Sequence, residues 1–207
     1  MTTPVLETLS KGEQTRRTIL DAAIERFGRD GFRSTSVTDI ARDAGVSGTA
    51  AYAYFPNKEA LFLEAVDEDA AGVISEGVSF LVDPARSLLP RTADDWRSTL
   101  VLTLVDAVEH HPLARRLLAG LEPEVTPRVI ETPALNDLRR VCAEQLHREQ
   151  KAGLLRSDID TDSVARGIVT IMLSLLMSVV QLGPDATLAY ADDVRAVFDA
   201  ALAPVTA

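Results

Sequence analysis

One segment near the N-terminus constrains the fold more than any other part of the chain. Ser36 is followed three residues later by Asp39, a pattern typical of a helix start, and Ser47 is also of the type that caps helices. Ala44-Gly45-Val46 lies between them, and a glycine there permits a sharp turn of the backbone. The segment therefore predicts two short helices joined by a tight turn, followed by a longer helix that begins at Asn57.

Helical spacing of apolar residues continues through the rest of the chain, and no run of alternating apolar and polar residues indicates a strand. We predict one helix ahead of the two short ones, at residues 15–29. The helices predicted after them cover residues 57–80, 93–110, 112–119, 133–152, 161–182 and 185–202. We therefore expect an all-α fold with a disordered tail over residues 1–12. A three-helix helix-turn-helix domain is expected over 13–60, with its motif at about 36–55, and a larger helical domain over 61–207.

The charge of the protein is divided unevenly along the chain. The net charge is −10, which on its own argues against binding to nucleic acid. Lysine and arginine balance aspartate and glutamate over residues 1–62, so the whole acidic excess belongs to residues 63–207. Because an acidic body repels DNA, any contact with DNA is expected at the N-terminal end.

Two short helices joined at an angle, with a longer helix ahead of them, make a helix-turn-helix unit. The second short helix of such a unit can enter the major groove of DNA, which is about 12 Å wide. The same pattern also fits an ordinary helical hairpin in a bundle, with no DNA contact.

The N-terminal region carries many motifs in one uninterrupted register. They are Thr18-Ile-Leu-Asp-Ala-Ala23, Phe27, Gly31-Phe32, Ser34-Thr-Ser-Val37, Asp39-Ile-Ala41, Ala44-Gly-Val-Ser47 and Tyr52-Ala-Tyr-Phe-Pro-Asn-Lys-Glu59 with Leu61. Through these residues the chain resembles the TetR-type (TetR/AcrR) family of transcriptional regulators. The resemblance implies a homodimer whose N-terminal domains bind a double-stranded DNA operator and whose C-terminal domain binds a small-molecule effector. In most members of the family the effector releases the DNA, so a repressor is expected.

The second short helix is expected to read the bases. Residues 47–53 contain no Arg, Lys, Asn or Gln, the side chains that form paired hydrogen bonds with guanine or adenine. The chain departs from the family pattern here, because Thr49 stands where glycine is usual and Ala51 replaces the usual apolar anchor. Discrimination at each base pair is therefore expected to be modest and to draw on DNA shape. The residues expected at the bases are Ser47, Gly48, Thr49 and Ala50.

Five residues are expected at the DNA backbone. Hydroxyl groups can donate to phosphate, and a lysine at a helix start adds its charge to the helix dipole. These residues are Thr35, Ser36, Tyr52, Tyr54 and Lys58, and they match residues that contact the DNA backbone in the family. Alternatively, one of the tyrosines belongs to the core and Lys58 is only solvated. Three further cations either extend the footprint or lie outside it, namely Lys11, Arg16 and Arg17.

The last two predicted helices are expected to form the dimer interface as a four-helix arrangement with their partners. The residues expected there are Ile168, Ile171, Leu175, Val179, Val194 and Phe198. Alternatively, the apolar helix at residues 168–182 is the buried central helix of one subunit. Both interpretations can hold on different faces of that helix.

A cavity for a largely apolar effector is expected between the helices near residues 96–108 and 171–182, because apolar walls and flexible methionines suit such a ligand. The candidate lining residues are Trp96, Leu100, Leu104, Met172, Leu176 and Met177. For each of them, packing in an ordinary core is the competing interpretation. His110, His111 and His147 lack the spacing of a metal site, and neither a metal nor a cofactor is expected.

An enzyme is not expected, since the sequence has no phosphate-binding loop, no Gly-x-Ser-x-Gly elbow, no HExxH motif and no cysteine pair. The remaining alternative to a DNA-binding regulator is a helical small-molecule-binding or adaptor protein whose sequence-specific DNA binding is weak or lost.

The sequence also predicts the cellular compartment of the protein. Its single cysteine, Cys142, cannot form an internal disulfide, which fits a reducing compartment. The longest apolar stretch, at residues 168–182, is shorter than the roughly 20 residues of a membrane span. The first residues lack the pattern of a signal peptide. We therefore expect a cytoplasmic protein that does not associate with a membrane.

Overall fold

The protein is helical throughout the part of the chain that the computed structural model describes, residues 10–82, 96–124, 132–185 and 191–204. Its main helices are α1 (Lys11–Asp30), α2 (Val37–Asp43), α3 (Gly48–Tyr54), α4 (Lys58–Val82), α5 (Trp96–Val108), α6 (Pro112–Leu118), α7 (Pro133–Lys151), α8 (Thr161–Leu182) and α9 (Ala191–Leu202). The described residues contain no strand, and the expected all-α fold is confirmed. Parts of two predicted helices, residues 93–95 and 186–190, lie outside the described residues.

The first helix begins earlier than expected. The Ser10 side chain accepts a hydrogen bond from the Glu13 backbone N–H at 3.3 Å, and the Glu13 carboxylate accepts one from the Ser10 N–H at 2.7 Å. This reciprocal cap starts α1 at Lys11. Residues 10–12 therefore do not belong to a disordered tail, and residues 1–9 lie outside the described part of the chain.

The predicted pair of short helices is present as α2 and α3. Ser36 and Ser47 cap them through side-chain oxygens that accept the backbone N–H three residues later, each at 3.1 Å. Gly45 has a φ of 69°, in the left-handed region that favours glycine. The N–H of Val46 donates to the carbonyl of Ala41 at 2.9 Å. The turn thus closes α2 and redirects the chain into α3.

Two hydrophobic cores are found in the described residues. The first is made by α1 to α4 and also takes in Leu113 and Leu117 of α6. The second is made by α4, α5, α7 and α8, together with Leu202 of α9. The long helix α4 runs through both cores. Although α6 lies within the expected C-terminal domain, its two leucines complete the N-terminal core.

Helices α1 and α6 pack against each other at very short range. A Cβ placed on Gly28 would lie 2.7 Å from the Cβ of Pro112 and 2.9 Å from its carbonyl carbon. Because backbone atoms of α6 form part of this contact, no side chain fits at Gly28 unless α1 and α6 move apart.

Two carboxylates of α4 cap the first turns of later helices. Asp69 Oδ2 accepts the Ala114 N–H of α6 at 2.7 Å, and Asp67 Oδ1 accepts the Ala134 N–H of α7 at 3.0 Å. Both α6 and α7 begin with a proline and receive no side-chain hydrogen bond from their own N-cap residue. In each of these first turns a backbone N–H that has no partner within its own helix is satisfied by a carboxylate of α4, which fastens α4 to both α6 and α7.

Cys142 lies in the second core with an exposed fraction of 0%. Burial raises the pKa of its thiol to about 12. Since the thiolate is the reactive species, the folded protein is expected to leave Cys142 unmodified by a disulfide reagent such as DTNB at about pH 8. Unfolding in guanidinium is expected to release one reactive thiol per chain. Rapid labelling of the folded protein would contradict this prediction.

One helix in the described part of the chain, α8, is long and apolar enough to cross a membrane by length and composition alone. It extends back to Thr161, so the expectation that no segment reaches this length is not met. Its most apolar stretch has a mean hydropathy of 1.9, and only 33% of that stretch is buried. Within the described residues, an apolar surface of α8 is therefore left uncovered.

Candidate nucleic-acid interface

The residues expected at the bases lie together on α3. Ser47 and Thr49 are exposed, Gly48 and Ala50 are half-buried, and Ala51 is fully buried in the first core. The small Ala51 side chain therefore seats α3 in place of a larger anchor. The Ser47 oxygen accepts the Ala50 N–H, which leaves its own hydroxyl proton free to donate. The contact of these four residues, 47–50, with DNA bases stays a prediction.

Thr35 and Ser36 precede α2 but differ in their access to solvent. Ser36 is exposed, and its hydroxyl donates to Asp39 Oδ2 at 2.6 Å, which lowers the pKa of that carboxyl group. Thr35 is only 3% exposed, and its hydroxyl donates to the Gly31 carbonyl at 2.8 Å. The side chain of Thr35 thus stabilises the loop from inside. The Thr35 hydroxyl is therefore not available to a phosphate of the DNA, and the prediction of Thr35 as a contact with the DNA backbone is wrong.

The two tyrosines have different surroundings. Tyr52 is 50% exposed, so its hydroxyl is accessible to a phosphate. Tyr54 packs partly against the first core, and a Cβ on Gly12 would lie 3.7 Å from its hydroxyl oxygen. This arrangement fits the alternative that one of the two tyrosines belongs to the core.

Lys58 is held in place at the start of α4. Its Nζ donates to the carbonyl oxygen of Phe32 at 2.9 Å and lies 4.4 Å from the centre of the Phe32 ring. The ammonium group has three protons, so two remain for a phosphate. Lys58 is therefore positioned by the protein, and the alternative of a merely solvated side chain does not describe it.

Every arginine in residues 10–62 lies beside a carboxylate. The pairs are Arg16–Glu64, Arg17–Asp21, Arg17–Glu68, Arg26–Asp30, Arg26–Asp43, Arg29–Asp30, Arg33–Glu124 and Arg42–Asp39. The contacts of Arg16 and Arg17 with glutamates join α1 to α4. These two arginines therefore have a structural role that the sequence pattern does not reveal.

Five of the six predicted pocket residues lie in the second core, each with at most 8% of its surface exposed. They are Trp96, Leu100, Leu104, Met172 and Leu176. The sixth, Met177, is 38% exposed, which separates it from this set and corrects the prediction. Among the described residues, the buried indole N–H of Trp96 has no hydrogen-bond acceptor. The clustering itself fits both an ordinary core and the wall of an effector site.

The residues predicted for the dimer interface divide between the inside and the outside of the subunit. Ile168 has an exposed fraction of 0% in the second core, so its prediction as an interface residue is wrong for this conformation. Ile171 is 37% exposed. The half-buried members of the set are Leu175, Val179, Val194 and Phe198.

A polar groove between α7 and α8 was not anticipated from the sequence. Arg139 and His147 of α7 and Arg166 of α8 contribute to its lining, and none of the predicted pocket residues does. Within the described ranges, no group of His, Cys, Asp or Glu side chains is arranged to hold a metal ion.

The chain is similar to known proteins over its N-terminal helices and over most of its length. A family model described as bacterial regulatory proteins, tetR family, matches residues 19–65. The chain is 28% identical over 176 residues to YdgC of Bacillus subtilis, an uncharacterized HTH-type transcriptional regulator, covering 84% of this chain and 85% of the relative. It is 26% identical over 162 residues to the HTH-type transcriptional repressor KstR2 of Mycobacterium tuberculosis, covering 74% and 75% of the two chains.

A solved structure shares the fold. The TetR-family transcriptional regulator ECA1819 from Pectobacterium atrosepticum superposes on this chain with a TM-score of 0.68 at 18% sequence identity. The superposition covers 97% of this chain and 99% of that one. The superposition therefore shows that the two chains share one helical fold.

Proposed function

This chain belongs to the TetR-type family of transcriptional regulators, and on that premise we propose that it is a homodimeric repressor released from its operator by a small effector. The observation that carries the proposal is the exposed face of α3, capped by Ser47 and seated through the buried Ala51. A two-fold dimer presents two copies of α3, so the operator is a pseudo-palindrome. The proposal assigns the protein no chemical reaction, and it places the protein in the cytoplasm with the DNA.

The proposed contacts divide into two kinds. Phosphates are met by Ser36, Tyr52 and Lys58, which lie at the start of α2, on α3 and at the start of α4. The Ser36 hydroxyl gives up its hydrogen bond to Asp39 Oδ2 when it donates to a phosphate. Bases are met by Ser47, Gly48, Thr49 and Ala50, whose short side chains favour close approach over paired hydrogen bonds. Sequence preference is then modest at each base pair, and the shape of the DNA contributes.

The uncovered surface of α8 supports the homodimer. Ile171 and Met177 are exposed on this helix, and Leu182 at its end is 72% exposed. On α9, Val197 is 65% exposed. Apolar surface of this extent is removed from water when α8 and α9 pack against the same helices of a second copy. A four-helix interface of this kind accounts for a helix that is apolar enough for a membrane yet mostly unburied.

The second core supports a largely apolar effector. Trp96, Leu100 and Met172 bring apolar and flexible side chains together between α5 and α8. The indole N–H of Trp96 finds no acceptor in the part of the chain that the structure describes, and burying such a donor costs free energy until an acceptor meets it. We infer that the effector carries an oxygen acceptor on an otherwise apolar skeleton.

Release follows from the way in which the helices are fastened. Asp67 and Asp69 tie α4 to the first turns of α7 and α6, and α4 leads directly into the DNA-binding region. An effector that favours one position of α5 and α8 shifts the population of α4 positions, and with it the spacing of the two α3 helices. An effector that binds free and DNA-bound protein equally would contradict this release.

The test is fluorescence anisotropy of the purified protein with the intergenic DNA that flanks its own gene, beside a scrambled duplex at the same salt concentration. We expect binding to the flanking DNA at least about a thousandfold tighter than to the scrambled duplex. Equally weak binding to both duplexes, and to a wider library of genomic fragments, would contradict the proposal. It would favour the alternative of a helical ligand-binding or adaptor protein.

A further inference from the structure

A chain of contacts begins in the segment that follows α6. Glu122 is 8% exposed, and one of its carboxylate oxygens, Oε1, accepts two hydrogen bonds. The Arg116 Nε–H donates to it at 2.7 Å, and the backbone N–H of Phe32 donates to it at 3.1 Å. Phe32 lies 90 positions earlier in the sequence, in the loop between α1 and α2. One oxygen atom thus joins that loop to α6.

Phe32, which is bonded to Glu122, also contacts Lys58. While its N–H is bonded to Glu122, its carbonyl oxygen accepts the Lys58 Nζ at 2.9 Å, and its ring faces the same ammonium group at 4.4 Å. The ring also packs against Phe62, with ring centres 4.9 Å apart. The place of the Lys58 ammonium is therefore set by a residue whose backbone is anchored to Glu122.

Because Gly31 has no side chain, Arg116 and Glu122 can lie close to the loop between α1 and α2. A Cβ at this position would lie 2.5 Å from Arg116 Nη2 and 2.6 Å from Glu122 Oε1. Its φ of 84° is also one that side chains rarely adopt. The Arg116–Glu122 pair is mostly buried, with side-chain exposures of 21% and 10%. It is thus a packed contact and differs from the solvated ion pair that Arg33 forms with Glu124 close by, where the exposures are 77% and 66%.

We propose that Glu122, oriented by Arg116, is a positioning residue for the phosphate contact of Lys58. The inference rests on the proposed DNA-binding function and extends it to a residue of the C-terminal region outside the DNA surface. Without Glu122, the N–H of Phe32 loses its acceptor, and the backbone of Phe32 gains freedom of rotation about φ and ψ on both sides of its Cα. The carbonyl then no longer holds the Lys58 ammonium, which spreads over several side-chain rotamers and loses its orientation toward phosphate. Because phosphate contacts carry no sequence information, the effect falls equally on all DNA.

The test is a double-mutant cycle of Glu122→Ala and Lys58→Ala, measured by anisotropy at low salt on the intergenic DNA that flanks the gene, as the operator, and on a scrambled duplex. In the wild-type background Glu122→Ala is expected to weaken binding to both duplexes by about tenfold, the loss of an oriented charged contact. In the Lys58→Ala background the same change is expected to cost less than about twofold. Glu124→Ala, which breaks the exposed pair with Arg33, is the matched control and is expected to change affinity less than about twofold.

A second measurement reads the contact directly and needs no DNA. Hydrogen exchange of the Phe32 amide is expected to be slow in the wild type and to accelerate in Glu122→Ala, while Glu122→Gln keeps an oxygen acceptor and retains most of the protection. Arg116→Gln serves as the second variant if Glu122→Ala does not fold, and it is expected to give the same cycle with a smaller loss. Folding of each variant is checked by circular dichroism.

Two results would overturn the inference while the proposed function stands. One is an equal loss from Glu122→Ala in the wild-type and Lys58→Ala backgrounds. The other is a loss confined to the operator, because that would place the effect on base recognition by α3. A folded wild-type protein that binds neither duplex would overturn the inference together with the proposed function on which it rests.

Discussion

Replacing Ile171 and Met177 together by glutamate is expected to separate the proposed dimer into monomers and to weaken operator binding by at least about a hundredfold. The two side chains are 37% and 38% exposed and flank Ser174 on the uncovered face of α8. In the dimer they would be buried against the second copy, where unpaired carboxylates strongly oppose association. Operator binding falls because each half-site is then occupied independently, without the high local concentration that a linked second domain provides.

Sedimentation velocity gives the molecular mass of this double variant, and anisotropy gives its affinity for the operator. Leu102→Glu is the matched control, since Leu102 is 42% exposed on α5 and lies outside the proposed interface. It is expected to remain dimeric and to bind normally. A double variant that stays dimeric with full affinity would show that α8 does not form the interface.

Replacing Asp69 by alanine is expected to lower the free energy of unfolding by about 3 kcal/mol. The Asp69 carboxylate is 4% exposed and accepts two hydrogen bonds, one from the Ala114 N–H at 2.7 Å and one from His111 Nδ1 at 2.8 Å. The variant leaves a buried helix N–H without an acceptor and deprives the imidazole of its buried partner. Because Asp69 also fastens α6 to α4, the loss is expected to loosen the contact of α6 with the N-terminal core.

Urea denaturation at one fixed protein concentration measures this loss, with the fluorescence of Trp96, the single tryptophan, as the probe. Glu76→Ala is the matched control, because Glu76 contacts the other nitrogen of His111 at 3.3 Å but is 53% exposed. It is expected to cost less than about 1 kcal/mol. If the two variants cost the same, burial is not what makes Asp69 important.

Capping residues and a turn glycine predicted the ends of α2 and α3 correctly, because the hydrogen bonds that fix these ends join atoms close in sequence. Ser36 and Ser47 cap helices that begin at the next residue, and Gly45 adopts the conformation that the turn requires. The same kind of signal was present at Ser10 and Glu13, which form a reciprocal cap at the start of α1. The predicted tail over residues 1–12 is too long because the apolar spacing that indicates the helix begins only after this cap.

The candidate site was predictable only in part. The residues of α3 are consecutive, so one helix necessarily brings them together, whereas the access of each side chain depends on what packs against the helix. Thr35 turns inward to the Gly31 carbonyl, and Lys58 is held by Phe32. The Thr35 bond spans only four residues, but the loop that contains Gly31 and Phe32 is also held by Glu122, 90 residues beyond Phe32. The position of Lys58 therefore depends on contacts between residues distant in sequence.

By itself, the sequence determined the helical class, the turn between α2 and α3 and the family resemblance, because capping, glycine conformation and apolar spacing act over a few residues. Only the tertiary structure decided which face of α8 is buried, that α6 completes the N-terminal core and that Glu122 reaches Phe32. The sequence of an apolar helix does not indicate which of its faces is buried, because several faces are equally apolar. The choice among them is made when helices distant in sequence pack together and exclude water from one face rather than another.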